Sequence, residues 1–132
     1  AQKNAGTLEV EYVPQGTLAE RIRAYGAGLG GVLTPTGLGT MIQDGKQIVN
    51  VDGKDYILEK PLKADIAFLR ANIVDEEGNM VFLGTSQNFN PLMAMAADYV
   101  VVEAEKLVKR GEIAPEQIHA SGIFVDGIYL EK

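Results

Sequence analysis

The sequence has 132 residues, of which 46% are hydrophobic and 23% are charged. This length suits one domain rather than two of ordinary size, and the composition is that of a globular chain rather than a disordered one. The chain has no cysteine and only one histidine, which excludes thiolate zinc sites, histidine metal clusters and a cysteine nucleophile. A net charge of −6 disfavours nucleic-acid binding, and no apolar run approaches the roughly 20 residues of a membrane span.

The first predicted unit is a strand followed by a helix. Hydrophobic residues alternate with glutamates over residues 8–12, which is the period-two pattern of a strand with one buried face. Thr17 and Glu20 have the spacing of a capping box, which predicts that the helix begins there. Gly26 is placed to end this helix.

A glycine-rich stretch and a hairpin follow. Residues 26–45 are rich in glycine, which predicts a loop containing one short extended piece at 32–34. An Asp-Gly pair at 52–53 lies between two apolar runs and predicts the type I′ turn of a hairpin over residues 48–59.

Two later stretches predict strands that are buried on both faces, as in a parallel sheet. Residues 65–71 form a near-continuous apolar run, and residues 99–103 are apolar and β-branched. A helix over 101–108 remains an open alternative for the second of these stretches. A shorter strand is predicted at 80–83, after a turn at 76–79.

The remaining signals predict a second helix and a final strand. Asn90 is placed as the N-cap and Pro91 as the first helical residue of a helix that continues through Ala96. One helical turn is predicted at 115–118 and a strand at 123–130. Strands and helices in this order predict an α/β domain with a mixed sheet.

The glycine pattern at residues 26–31 matches the dinucleotide-binding fingerprint only as a string of letters. That fingerprint needs a strand before the glycines and a helix after them, whereas these glycines follow a helix and lead into an extended segment. A bound phosphate would therefore meet the negative end of the helix dipole. We interpret the glycines as a helix end followed by a loop.

Polar residues before the two predicted helices are the best candidates for a binding site. Gln15 and Gly16 lie between the end of a strand and the start of a helix, where open α/β sheets bind ligands and an amide can donate to an oxyanion. A turn whose glutamine faces water is the alternative interpretation. Asn88 and Asn90 have the corresponding place before the second helix, where capping is the alternative role for Asn90.

Other chemically suggestive residues do not form a recognisable catalytic set. His119 has no base or nucleophile at a familiar spacing, so we interpret it as a structural hydrogen-bonding residue. Glu103 and Glu105 would share one face of a strand, and Arg70 could bind an anion or form an ion pair. A glycine loop at 37–40 suits either a turn or a close approach to a ligand. The residues predict a binding-site rim without a nucleophile or a general base.

Several motifs, taken together, resemble the family I coenzyme A transferases, specifically the α half of the 3-oxoacid, acetate or acetoacetate type. The resemblance follows the order of the chain through segments 10–23, 34–37, 39–40, 64–67, 70–71, 77–79, 88–97 and 118–125. It implies an α/β fold with an open, mixed, largely parallel sheet flanked by helices, incomplete in this chain. Residues 1–132 would then be a single α-type domain.

The departures from the family pattern concern the start of the chain and the nucleophile. The family's α half begins with an Asn/Asp-Gly and Gly-Gly-Phe signature that is absent here, and this chain starts at Ala1. We therefore expect the C-terminal portion of an α subunit, which works with a missing N-terminal α segment. The family's nucleophilic glutamate lies in a Ser-Glu-Asn-Gly motif of the β half, so we expect a β subunit to supply it and the isolated chain to be inactive.

The resemblance also implies a reaction and a set of site residues. Coenzyme A (CoA) would move between an acyl-CoA, such as acetoacetyl-CoA, succinyl-CoA or acetyl-CoA, and a short carboxylic acid, by a ping-pong route through a glutamyl-CoA thioester. Gln15 matches the glutamine of the family's Pro-Gln-Gly motif and would support the oxyanion and the substrate. The implied substrate-binding neighbours are Gly16, Gly39, Thr40, Asn88 and Asn90.

The same resemblance implies that CoA is a substrate and that neither a metal nor a cofactor is needed. We expect a cytoplasmic protein of short-chain fatty acid or ketone body metabolism. A non-catalytic small-ligand binding or sensor domain of the same fold is the main alternative, because a fold alone does not determine function. A purely structural interaction subunit and a sugar-phosphate isomerase of related architecture are further alternatives.

Overall fold

The computed structural model describes residues 1–131, and these form two helices, two sheets and four short 3₁₀ turns. The helices are α1 (Gln15–Gly26) and α2 (Asn90–Met93). The strands are β1 (Val32–Thr34), β2 (Ile48–Val51), β3 (Lys54–Glu59), β4 (Ala64–Asp75), β5 (Met80–Val81), β6 (Ala97–Val108) and β7 (Gly127–Leu130). The 3₁₀ turns are Met41–Gln43, Gly84–Gln87, Pro115–Gln117 and Gly122–Phe124.

The main sheet has four strands in the order β5-β4-β6-β7. Strands β4 and β6 pair in parallel over their whole length, β7 is parallel to β6, and β5 is antiparallel to β4. A smaller antiparallel sheet has the order β1-β3-β2. The prediction of an α/β fold with a mixed, largely parallel sheet is therefore confirmed.

The core lies on one face of the main sheet. Alternate residues of β4 and β6 are buried together there, and Phe82 and Met80 pack against them. The alternating buried residues are Ala67, Leu69, Ala71, Val100, Val102 and Ala104, and Val74 near the end of β4 is buried as well. The prediction that both faces are buried is wrong, since Ile66 is 52% and Phe68 is 72% exposed on the opposite face. Within residues 1–131, no element packs closely enough over that second face to bury it.

Two predictions based on local signals are confirmed. Asp52 and Gly53 both have positive φ angles, of 51° and 80°, and so form the type I′ turn between β2 and β3. The segment 101–108 belongs to strand β6, so the alternative helix is wrong. Its β-branched and apolar residues instead alternate between the core face and the exposed face.

The predicted strand at 8–12 does not form. The segment is irregular, and Leu8, Val10 and Tyr12 are exposed, because the described residues place no strand beside it to complete a ladder. The predicted capping box is also wrong. The cap position is held by Pro14 and helix α1 begins at Gln15, so Thr17 lies inside the first turn and is buried.

The second helix is shorter than predicted, and Asn90 is not its N-cap. Helix α2 makes one turn and ends at Met93, with Phe89 in the cap position. The Asn90 side chain is engaged by the backbone of β4 instead. The turn at Pro115–Gln117 is confirmed as a 3₁₀ turn. The final strand begins only at Gly127, because Ser121 caps a 3₁₀ turn at Gly122–Phe124 by accepting a hydrogen bond from the Ile123 N–H.

None of the helices within residues 1–131 is both long and apolar enough to cross a membrane.

Candidate functional site

A cavity of about 550 Å³ lies on the exposed face of the main sheet, where β4, β6 and β7 run side by side. The parallel register places Arg70 opposite Glu103 and Glu103 opposite Tyr129, so these three side chains share one face. The helix α2 contributes Asn90. The lining is completed by Phe68, Leu69 and Val101. The cavity thus combines a cation, a carboxylate, an amide and a phenol above an apolar floor.

Among residues 1–131, Arg70 is the one cation that lines this cavity, and it pairs with Glu131. Its guanidinium nitrogen Nη2 lies 2.9 Å from a carboxylate oxygen of Glu131. Both side chains are about half exposed, so this ion pair contributes at most about 1 kcal/mol to stability. Because the pair is weakly held, Arg70 is available to exchange Glu131 for the carboxylate of a ligand.

Asn90 connects the loop before α2 to strand β4. Its Oδ1 accepts a hydrogen bond from the Arg70 backbone N–H at 3.3 Å, and its Nδ2 donates to the Ser86 carbonyl oxygen at 2.9 Å. Asn72, two residues further along β4, accepts hydrogen bonds from the Leu83 N–H and the Ser86 hydroxyl, both at 2.7 Å. The loop is therefore held against β4 by two asparagines.

This polar row continues into a smaller cavity of about 190 Å³. The Asn72 amide donates to a Glu105 carboxylate oxygen at 2.9 Å, and Arg70 lies on the boundary between the two cavities. An apolar cavity of about 400 Å³ lies on the other side of Phe68, between α1, α2 and β4. Charged and apolar space thus adjoin at Phe68 and Arg70, which suits a ligand with a charged group and an apolar part.

The predicted site residues are distributed over three parts of the molecule. Gln15 and Gly16 are exposed in the first turn of α1, and a Cβ atom added to Gly16 would have no neighbour within 4 Å. The Thr40 hydroxyl donates to the Gly37 carbonyl oxygen at 2.7 Å and accepts from the Ile42 N–H at 3.2 Å. Thr40 therefore caps the 3₁₀ turn Met41–Gln43 and shapes its own loop.

Two more of the predicted residues also lie in loops. The Gly39 N–H donates to Gln43 Oε1 at 2.8 Å, so this amide group is used within the loop. Asn88 is exposed in the segment before α2. Of the six predicted site residues, Asn90 is the one that the structure brings into the large cavity, together with Arg70 and Glu103.

Sequence reasoning missed the roles of Asn72, Ser86 and Tyr129 in this site. A signal for Asn72 was available, because Arg70 and Asn72 are two residues apart on one strand, as Glu103 and Glu105 are on its neighbour. Polar residues at that spacing lie on the same face of adjacent strands. Ser86 and Tyr129 depend on the path of a loop and on the pairing of β7, for which no local signal exists.

The structural interpretations of His119 and of the glycine pattern agree with the geometry. His119 Nδ1 accepts a hydrogen bond from the Phe82 N–H at 3.0 Å, and the two rings are stacked. Helix α1 ends at Gly26 and β1 starts at Val32, so the glycines follow a helix and precede a strand. Among residues 1–131 there is no cluster of three or more histidines or carboxylates that could hold a metal ion.

The model of the coenzyme A transferase family matches residues 1–131, so the chain belongs to this family. It is 54% identical over 124 residues to the acetoacetyl-CoA:acetate/butyrate CoA transferase alpha subunit of Clostridium acetobutylicum. This alignment covers 94% of this chain and 57% of the relative. It is 48% identical over 128 residues to the acetate CoA-transferase subunit alpha of Escherichia coli, covering 97% of this chain and 58% of the relative. The chain thus spans somewhat more than half the length of these relatives.

A similar fold is found among solved structures. A crystal structure of an acyl-CoA transferase apoenzyme from Escherichia coli O157:H7 superimposes with a TM-score of 0.87 over 98% of this chain and 29% of that chain. Its sequence identity of 24% shows a common fold and no more than that. The predicted family and α type are confirmed, while the position of the chain within an α subunit and the roles of the six site residues stay predictions.

Proposed function

We propose that this chain is part of the α subunit of a CoA-transferase that moves CoA between an acyl-CoA and a short carboxylic acid. The observation that carries the proposal is the 54% identity, over 94% of this chain, to an α subunit described as acting on acetoacetyl-CoA and acetate or butyrate. Acetoacetyl-CoA, succinyl-CoA and acetyl-CoA are the proposed donors. The proposed partners are a β subunit and the remainder of the α subunit, in the cytoplasm.

The proposed reaction is a ping-pong exchange. A glutamate carboxylate of the β subunit attacks the thioester carbonyl of the acyl-CoA, and CoA leaves as its thiolate, giving a mixed anhydride. The thiolate then attacks the glutamyl carbonyl, which releases the first carboxylate and leaves a glutamyl-CoA thioester. A second carboxylate reverses these steps and departs as the new acyl-CoA, so no metal or resident cofactor is required.

Gln15 is the proposed contribution of this chain to the chemistry. Negative charge develops on the thioester oxygen during each attack, and an amide N–H next to that oxygen stabilises it. Two observations support the assignment: the Gln15 side chain is exposed, and it stands at the N-terminus of α1, where the helix dipole favours negative charge. Gly16 adds no side chain there and so leaves room for a substrate.

The proposed binding residues form a wider surface. Asn90 is supported by its place in the large cavity beside Arg70. Gly39, Thr40 and Asn88 are proposed as further contacts to the substrate, with Gly39 and Thr40 acting through the loop conformation that their hydrogen bonds maintain.

A reconstitution experiment tests the proposed function. The complete α subunit is expected to transfer CoA from acetoacetyl-CoA to acetate when it is combined with its β subunit, whereas the isolated 132-residue chain is expected to show no transfer. Borohydride reduction after incubation with acyl-CoA alone should modify one glutamate of the β subunit. Acyl exchange by the isolated chain, or transfer without a borohydride-sensitive enzyme thioester, would contradict the proposal.

A substitution in the same complex tests the role of Gln15. Gln15→Ala is expected to lower kcat by about 10²–10³-fold, as is typical for loss of an oxyanion donor, without preventing assembly. Gln117→Ala is the matched control, since Gln117 is also exposed but lies in the 3₁₀ turn before His119. A structural interaction subunit would show unchanged turnover with both variants.

A further inference from the structure

Glu59 is a buried carboxylate that the proposed reaction does not use. It ends strand β3, and its side chain is only 2% exposed. One carboxylate oxygen lies 2.7 Å from Lys46 Nζ and the other 4.0 Å from Arg21 Nε. Removing a carboxylate from water is costly, and an ion pair of this kind adds little net stability compared with apolar residues of similar size. The role of Glu59 is therefore better sought in how it places its neighbours than in the stability that it adds.

Arg21, on helix α1, contacts both Glu59 and the segment that follows β3. The Arg21 Nε donates a hydrogen bond to the Lys60 carbonyl oxygen at 2.9 Å, and its Nη1 donates to Glu11 Oε1 at 2.9 Å. The Arg21 carbonyl oxygen also accepts a hydrogen bond from the Leu62 N–H at 3.0 Å. Residues 60–62 connect the small sheet to β4 of the main sheet. Helix α1 is therefore attached at Arg21 to the junction of the two sheets.

Gln15 lies in the chain between two residues of this network. Glu11 precedes it in the irregular segment and Arg21 follows it on α1, and an ion pair of 2.9 Å joins these two residues across Pro14 and Gln15. We propose that Glu59, together with Lys46, is a positioning group: it holds Arg21, and through Arg21 it fixes the place of Gln15 relative to the two sheets. This inference rests on the proposed function of Gln15.

The same residues surround a cavity of about 390 Å³, which raises the alternative of an anion site. The cavity wall includes Arg21, Lys46 and Lys60, but it also includes the carboxylates of Glu11 and Glu59. Each of the first two cations is already within 2.9 Å of a carboxylate oxygen. An added anion would have to displace a buried carboxylate or face it, so the geometry favours a positioning network.

A double-mutant cycle in the complete α/β complex tests the proposal. Glu59→Gln keeps the size of the side chain and removes its charge, and it is expected to lower kcat roughly 10-fold with KM for acetoacetyl-CoA unchanged, since small misplacements of a catalytic group reduce the rate strongly. In the Gln15→Ala background the same substitution is expected to change kcat less than twofold, because the group that it positions is absent. All rates are normalised to the amount of assembled complex.

A second variant and a control keep the result interpretable. Lys46→Gln removes one partner of Glu59 while retaining the carboxylate, and its effect on kcat should also disappear in the Gln15→Ala background. Glu77→Gln, which breaks the exposed ion pair with Arg110, should leave kcat unchanged. Hydrogen exchange of the amides in the first turn of α1 should become faster in Glu59→Gln and in Lys46→Gln but not in Glu77→Gln.

The possible outcomes separate the positioning role from the proposed function. Effects of Glu59→Gln that simply multiply with those of Gln15→Ala, or that vanish after normalisation to assembled complex, would overturn the positioning role and leave the transferase intact. Unchanged kcat in Gln15→Ala would overturn the roles of both residues. Absence of CoA transfer by the unmodified complex would overturn the proposed function itself, and the positioning role with it.

Discussion

Gly26, the last residue of α1, lies against Met95 so closely that a Cβ atom at Gly26 would come within 2.5 Å of the Met95 Cβ. The Met95 backbone is also close, since its carbonyl oxygen would be 3.0 Å from the same added atom. Helix α1 ends at this contact, and the segment after α2 passes directly over it. The glycine is therefore required for the approach of two chain segments as well as for the end of a helix.

This contact predicts that Gly26→Ala is destabilising. Overpacking of this kind costs typically about 1–3 kcal/mol, because the backbone of the neighbouring segment must move. Gly16→Ala is the matched control on the same helix, since its Cβ would meet open space and alanine is the better helix former. Urea unfolding of both variants checks the prediction, which fails if the two substitutions change the unfolding free energy alike.

Replacing a phenylalanine by alanine is expected to destabilise the protein much more on the buried face of the main sheet than on the exposed face. Phe82 is 0% exposed in the core, whereas Phe68 is 72% exposed. We expect Phe82→Ala to lower the unfolding free energy by about 3–5 kcal/mol through lost burial and a cavity. Phe68→Ala should change it by no more than about 0.5 kcal/mol, as for other surface substitutions. Thermal unfolding of the isolated chain compares them, and equal losses would show that the second face is covered.

Asp75 is buried at the end of β4 and organises the turn that follows. Its carboxylate accepts hydrogen bonds from the backbone N–H groups of Glu77 and Asn79 and from the Asn79 side chain, at 2.9–3.0 Å. Asp75→Ala would leave these donors unpaired, so we expect a loss of about 2–4 kcal/mol. Asp44→Ala, at an exposed position, is the control. A loss below about 1 kcal/mol, measured by urea unfolding, would argue against this role.

The ion pair between Glu20 and Arg23 on the surface of α1 is expected to make a pH-dependent contribution to folding stability. The hydrogen bond from the Arg23 guanidinium lowers the pKa of the Glu20 carboxyl; burial opposes this shift, and the positive charge of Arg23 adds to it to a lesser extent. Since the pKa is lower in the folded state, the contribution of this pair is present above the unfolded-state pKa. It is lost as the pH falls through the folded-state pKa.

We expect Arg23→Gln to raise the pKa of Glu20 when the carboxyl carbon is followed by NMR during a pH titration. The change in unfolding free energy should be small, because water and salt screen an exposed pair. The same titration in 1 M salt should move the pKa of the unmodified chain in the same direction. Identical Glu20 pKa values with and without Arg23 would contradict the assignment.

The parts of the fold that are determined by residues adjacent in the sequence could be predicted from the sequence. The turn at Asp52 and Gly53 is one example, because two positive φ angles at an Asp-Gly pair determine a hairpin locally. The segment 8–12 shows the limit: its alternation is genuine, but a strand also needs a partner, and pairing is a long-range property. The exposed face of β4 shows the same limit, since an apolar run predicts burial but does not identify the element that would pack against it.

The candidate site was less predictable because its contacts join distant parts of the chain. Asn90 is 20 residues from Arg70, and Arg70 is 61 residues from Glu131. A polar residue before a helix suggests an N-cap from local sequence alone, and only the packed loop shows that Asn90 serves β4 instead. Gln15 could be singled out through the Pro-Gln-Gly resemblance, whereas its attachment through Arg21 and Glu59 required the arrangement of two sheets.

The hydrogen bond from the Arg70 N–H to Asn90 also limits how this sheet can grow. Strand β5 pairs with β4 at Ile73 and Val74, and at Arg70 the side chain of Asn90 takes the place of a further strand. A strand from another molecule cannot join β4 at this position without displacing Asn90, which protects the edge from aggregation. The opposite edge of the main sheet is formed by β7.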